Sequence, residues 1–143
     1  MTMRLSEEIK SKIRAEYEGW FESQYGDLSA ERRKELGAIY TPPEITIQMI
    51  ERFPFDKFGD RTVLDPACGS GNLLMACIIA GAKPENIYGN ELELSMVELC
   101  RSRLTKYGVP AHNIHQGDAT DPYCLKVFGS DYKWPRQTSV ALF

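Results

Sequence analysis

A chain of 143 residues that is 43% hydrophobic, 26% charged and 10% aromatic has the make-up of a globular domain, which excludes disordered, collagen-like and fibrous chains. The longest apolar stretch, within Asn72–Gly81, falls far short of the roughly 20 residues of a membrane-spanning helix. The N-terminus turns acidic instead of leading into a basic and then apolar signal region, so a cytoplasmic protein without membrane contact is expected. Seventeen Lys and Arg against 20 Asp and Glu leave a formal net charge of −3, so DNA is expected to be met only indirectly or with a partner.

From Ser6 to about Tyr25, the residues Ile9, Ile13, Tyr17, Trp20 and Phe21 recur at helical spacing and mark one face of an amphipathic helix. Ser6 is the expected N-cap, Glu7 and Glu8 suit the positive end of the helix dipole, and Gly26 is the expected stop. A second, polar helix is predicted from Ser29 to Leu36, with Gly37 ending it. Its Arg32-Arg33-Lys34 run is read as a solvated face.

In Thr41-Pro-Pro-Glu44, Thr41 is the expected N-cap, Pro42 the first helical residue and Glu44 the third member of a capping box. That helix runs through Ile45, Ile47, Met49, Ile50 and Phe53 and ends before Pro54, and a loop leads to Arg61.

From here strand and helix alternate. The prediction is a strand Thr62–Asp65, a helix from about Gly71 to Ala80 stopped by Gly81, and a strand Asn86–Glu91. A helix from Glu93 or Leu94 to Tyr107, closed by Gly108, and a strand near Asn113–Gln116 complete the run. Strands parted by helices of this length argue for a parallel α/β sheet with right-handed crossovers. Beyond Asp118 the pattern weakens, with a helical turn expected from Tyr123 to Phe128, a loop from Gly129 to Arg136, and an apolar strand Ser139–Phe143.

In open α/β sheets, ligands bind beyond the carboxyl ends of the strands. An acid stands at each of three such ends, Asp65, Glu91 and Asp118, at nearly equal intervals, so one crevice could hold all three. Gly69 and Gly71 permit a tight turn and close backbone approach. A dinucleotide loop would need a third glycine where Leu74 stands, and a Walker loop would need Lys where Asn72 stands. The Asp65 carboxylate suits a cationic ligand better than a polyphosphate. Cys68, Cys77, Cys100 and Cys124 form no CxxC pair, and His112 and His115 lack a nearby acid or cysteine at ligand spacing, so reduced thiols and no metal are expected.

The segment Asp65-Pro-Ala-Cys-Gly-Ser-Gly71 resembles the S-adenosylmethionine loop of adenine-specific DNA methyltransferases, and Tyr40-Thr41-Pro42 resembles the Y-[YF]-T-P segment that precedes it in that family. The resemblance covers roughly residues 33 to 121. It implies an α/β, Rossmann-like S-adenosylmethionine-dependent methyltransferase fold, with a partial parallel sheet of about four strands ordered 3-2-1-4. Residues 1–36 would be an N-terminal helical extension and 37–143 a partial cofactor-binding domain. It also implies S-adenosylmethionine as cofactor, with Tyr40, Thr41 and Pro42 by its methionine part and Asp65, Gly69 and Gly71 in the loop. Glu91 would bind the ribose hydroxyls and Asp118 the adenine amino group. Ala67, Asn72, Leu92 and Ala119, beside them, complete the expected binding set.

The family's catalytic [DNS]-P-P-[YFW] signature does not occur in the sequence. Thr41-Pro42-Pro43-Glu44 and Asp121-Pro122-Tyr123 do not fit it, so no catalytic residue is assigned. The chain is therefore expected to be the cofactor-binding front half of a restriction-modification type enzyme, needing a completing segment or partner. Its last strand would be an apolar sheet edge open to a partner protein or a second copy. The alternatives are an inactive protein that binds the cofactor or docks on a host modification enzyme, and a small complete methyltransferase in which Asp121 or Tyr123 orients the acceptor.

Overall fold

The computed structural model describes residues 2–20, 25–26, 28–36, 41–121 and 139–141. Three helices come first, α1 (Glu7–Trp20), α2 (Ala30–Leu36) and α3 (Pro43–Glu51). An alternating run follows: β1 (Thr62–Asp65), α4 (Asn72–Ile79), β2 (Ile87–Glu91), α5 (Leu94–Leu104), β3 (Ile114–Gln116) and, further on, β4 (Ser139–Ala141). The four strands form one sheet in the order β3-β2-β1-β4 with every pairing parallel, as expected. Two right-handed crossovers in the same direction set α4 and α5 on one face. Chain direction across the sheet reverses at β1, and it is beyond the carboxyl end of such a strand that an open α/β sheet holds its ligand.

Local chemistry explains most boundaries. Ser6 Oγ accepts the Ile9 N–H at 3.2 Å, so it caps α1 as predicted, and Ser29 Oγ does the same for Arg32 at 3.1 Å in α2. α1 is described as far as Trp20, and the rest of its expected span, residues 21–24, lies outside the described residues. The Trp20 carbonyl accepts a bond from Arg103 at 3.3 Å, and the Arg103 guanidinium lies 4.3 Å over the Trp20 ring. α5 stops at Leu104 and tightens into a 3₁₀ turn, Thr105–Tyr107, closed by Gly108 at φ +95°. Phe21 and the predicted elements between Tyr123 and Arg136 lie outside the described residues.

The capping box does not form. Pro42 is extended, with φ −61° and ψ 151°, and is itself the N-cap, with Pro43 as the first helical residue. A residue that precedes proline is pushed out of the helical region, so the second proline sets the start. Glu44 faces away from the cap and pairs with Arg14 of α1, at 2.6 and 3.2 Å.

One apolar core runs from Met3 and Leu5 through Ile13 and Tyr17 to Ile114. α4 is buried on nearly every side, from Asn72 to Cys77, because it lies against β1, α1 and α3 at once. Buried inside this stack, the Tyr17 hydroxyl and Thr46 Oγ1 stand 2.6 Å apart and join α1 to α3. Tyr17→Phe strands the Thr46 hydroxyl, and we expect a loss of about 1–2 kcal/mol in stability, read from urea unfolding.

Candidate cofactor site

Parallel register sets the site. Asp65 of β1 lies level with Gly89 of β2, and Glu91 of β2 level with Gln116 of β3, so all three acids stand at the carboxyl edge of adjacent strands. Each carboxylate accepts the backbone N–H two residues on: Asp65 Oδ1 from Ala67 at 3.0 Å, Glu91 Oε2 from Glu93 at 2.6 Å, and Asp118 Oδ1 from Thr120 at 2.9 Å. The same device, an acid closing the turn that leaves its own strand, is used three times.

The strand ends are stitched together by Asn90, which is 1% exposed. Its Nδ2 donates to the carbonyls of Pro66 at 3.1 Å and Gly117 at 3.0 Å, while its own carbonyl accepts the Cys68 N–H at 2.9 Å. Gly117 in turn donates to the Glu91 carbonyl at 3.0 Å. Sequence reading gave Asn90 no role. The available signal was a lone amide in a short strand beside Ile87 and Gly89, since such a group must find partners when the strand is buried.

The loop's two glycines do different things. Gly69, at φ +54°, has open space where a Cβ would stand. Gly71, the N-cap of α4 at φ +94°, has Cys100 Sγ only 2.9 Å from that position, so its bareness also lets α4 and α5 approach. Gly89 is bare for a similar reason, with Cys68 Sγ 2.9 Å from its Cβ position. Cys68, Cys77 and Cys100 are free and buried.

Charge is graded across the edge. Asp65, 1% exposed, is pushed up to about 7, chiefly by burial and further by the nearby Glu91, against the pull of the Ala67 N–H. Glu91, half-buried, is raised by burial too, with the amides of Glu93, Gly69 and Leu92 opposing. Asp118 is exposed and held below the usual range by the hydroxyl and N–H of Thr120. Asn72 is 9% exposed and its Oδ1 is buried without a hydrogen-bond partner among the described residues.

Of the other predicted residues, Ala67 and Ala119 are exposed and Leu92 is 47% exposed, all at the same edge. Thr41 and Pro42 stand at the start of α3, which packs on α4; among the described residues no hydrogen bond joins them to the loop. Tyr40 lies outside the described residues, as does Tyr123.

An open parallel sheet in this order, with a glycine loop after its first strand and acids closing the next two, defines the Rossmann-like class of S-adenosylmethionine-dependent methyltransferases. The chain belongs to the N-6 DNA Methylase family, whose sequence profile matches residues 17–123. It is 38% identical over 92 residues to the type II methyltransferase M.VspI of Vibrio sp. (strain 343), a match that covers 64% of this chain and 22% of that protein. It is 31% identical over 97 residues to a tRNA (guanine(10)-N2)-dimethyltransferase of Pyrococcus abyssi, covering 68% and 27%. A type I restriction-modification system methyltransferase subunit from Streptococcus thermophilus superposes with a TM-score of 0.47 at 27% identity, over 68% of this chain and 20% of that one. The chain thus spans about a quarter of the length of the curated relatives it matches. Among the described residues, no helix is long and apolar enough to cross a membrane.

The family implies S-adenosylmethionine, and the site's chemistry fits it. Among the described residues, Asn72 Oδ1 is a buried acceptor that lacks a donor, Asp65 is an acid held up by burial with no cation beside it, and the Gly69 turn leaves open space.

Two outcomes follow from this geometry. Asn90→Ala frees the carbonyls of Pro66 and Gly117 and is expected to lower stability by about 2–3 kcal/mol in urea unfolding. Asp65 is raised in the fold above its ordinary 3.8, so its contribution to stability is complete below that value and is lost as pH rises through about 7. The thermal midpoint of the unliganded protein should therefore fall between pH 5 and pH 8, and Asp65→Asn should flatten most of that fall. An unchanged pH profile in the variant would show that Asp65 is not its source.

Proposed function

We propose that this chain is the S-adenosylmethionine-binding part of an adenine-specific DNA methyltransferase of restriction-modification type, completed by a segment or partner that carries the [DNS]-P-P-[YFW] loop. The observation that carries the reading is the meeting of Asp65, Glu91 and Asp118 at one sheet edge, around a loop whose Asn72 oxygen is buried and unbonded. Bound there, the cofactor supplies an electrophilic methyl group on a sulfonium. The chain's own part is to bind and orient.

Asp65 opposes positive charge close to the loop, and Glu91 accepts the ribose hydroxyls. Asp118 with Ala119 meets the adenine amino group, and the exposed Leu92 offers an apolar surface to the ring. Tyr40, Thr41 and Pro42 flank the methionine end. Holding donor and acceptor in line accounts for most of what such a transfer requires from a protein.

The acceptor in this reading is an exocyclic amino group of a purine. The Pyrococcus abyssi relative is named for guanine N2 of a tRNA, so the choice of adenine in DNA rests on the family match at residues 17–123. The outer strand β4, paired only with β1 in the described sheet, is the proposed docking edge for the completing segment or partner. A second reading is a protein that binds the cofactor without transferring methyl.

Calorimetric titration with S-adenosylmethionine and S-adenosylhomocysteine tests the first step. Micromolar binding to the wild type, lost in Asp65→Ala, is expected; no binding to the wild type would overturn the cofactor reading. Labelled methyl transfer to DNA on adding a polypeptide with the missing loop then separates the two readings, since persistent inactivity would favour the second.

A further inference from the structure

Arg32 and Glu93 stand 61 positions apart and are joined across the surface. Arg32 belongs to the short helix α2, and Glu93 is the residue that opens α5, its carbonyl accepting the N–H groups of Met96 and Val97 at 3.0 Å. The Arg32 guanidinium reaches Glu93 Oε1 twice, from Nε at 3.1 Å and from Nη2 in a short contact, while Nη1 holds Glu35 Oε2 at 3.1 Å. All three guanidinium nitrogens are thus used, which a lysine's single ammonium could not reproduce. Burial is uneven, with the Arg32 side chain 44% exposed and that of Glu93 22%.

Glu93 is also the residue whose N–H fixes the Glu91 carboxylate, at 2.6 Å. Its negative charge pushes the Glu91 carboxyl up, and the guanidinium of Arg32 offsets that charge. One ion pair therefore joins the turn that sets Glu91 to α2.

We propose that Arg32 is a positioning residue of the cofactor site, a clasp that ties α2 to the Glu91 turn without touching the ligand. This rests on the cofactor reading above and adds a consequence to it: affinity for the cofactor depends on salt through a pair outside the ligand's reach.

The test is calorimetric titration of the chain with S-adenosylhomocysteine, for the wild type, Arg32→Ala, Glu93→Gln and the double variant, at low salt and at about 0.5 M NaCl. At low salt, Arg32→Ala should bind about three- to fivefold more weakly, the scale of one partly exposed ion pair. The two single losses should not add in the double variant. High salt should weaken the wild type toward Arg32→Ala while hardly moving the variant. The unliganded midpoint of Arg32→Ala should stay within about 2 °C of the wild type, since the pair itself adds little to global stability.

Wild-type affinity in Arg32→Ala, additive losses, or a weakening matched by a large fall in the midpoint would overturn the clasp and leave the cofactor reading standing. A wild type that binds no ligand would overturn both.

Discussion

The side-chain amide of Asn90 holds the site's frame. With one nitrogen it satisfies the carbonyls of Pro66 and Gly117, and its backbone oxygen takes the Cys68 N–H. The chain leaves β1 and β3 through two different turns, and each would expose backbone carbonyls at the sheet edge. A buried carbonyl without a partner is costly, so the amide's two donors decide where both turns go. Everything attributed to the cofactor edge presupposes that these turns are held in place.

On that frame each of the three acids serves its own turn. Each carboxylate closes the turn behind its strand by accepting an N–H two residues on. The bond keeps the carboxylate at the edge and leaves its remaining lone pairs for other donors. What differs is solvent. Asp65 sits under the loop and is pushed toward neutrality, while Asp118 is exposed and stays firmly ionised. One functional group, a carboxylate, at three depths gives a graded edge, protonatable at one end and fixed in charge at the other.

The packing behind the edge is equally constrained. α4 and α5 come close enough that a side chain at Gly71 would meet Cys100, and Cys68 presses against the bare Cα of Gly89. The loop is thus wedged between β2 and α5 by sulfur atoms, which fill small irregular spaces well. Of the helices before β1, α1 and α3 are tied to each other through Tyr17 and Thr46 inside and the Arg14–Glu44 pair outside, and α2 is tied to the start of α5 through the Arg32–Glu93 pair.

The sequence by itself determined the order of elements, the parallel α/β class, the Ser6 cap, the glycine loop and the three acids. Each of these is written in neighbouring residues: helical or alternating periodicity, a hydroxyl before a helix, glycines after a short apolar strand. The strand order followed from the family resemblance. Only the tertiary structure decided that Pro43, not Pro42, starts its helix and that Glu44 pairs with Arg14 instead of capping. It also decided that Asn90 bridges two turns, that Gly71 is bare partly for the sake of Cys100, and that Arg32 meets Glu93. Those outcomes turn on which group is nearest across dozens of positions, and on whether water reaches it. Periodicity and motif spacing carry no record of either, because burial and long-range partners exist only once the chain has closed on itself.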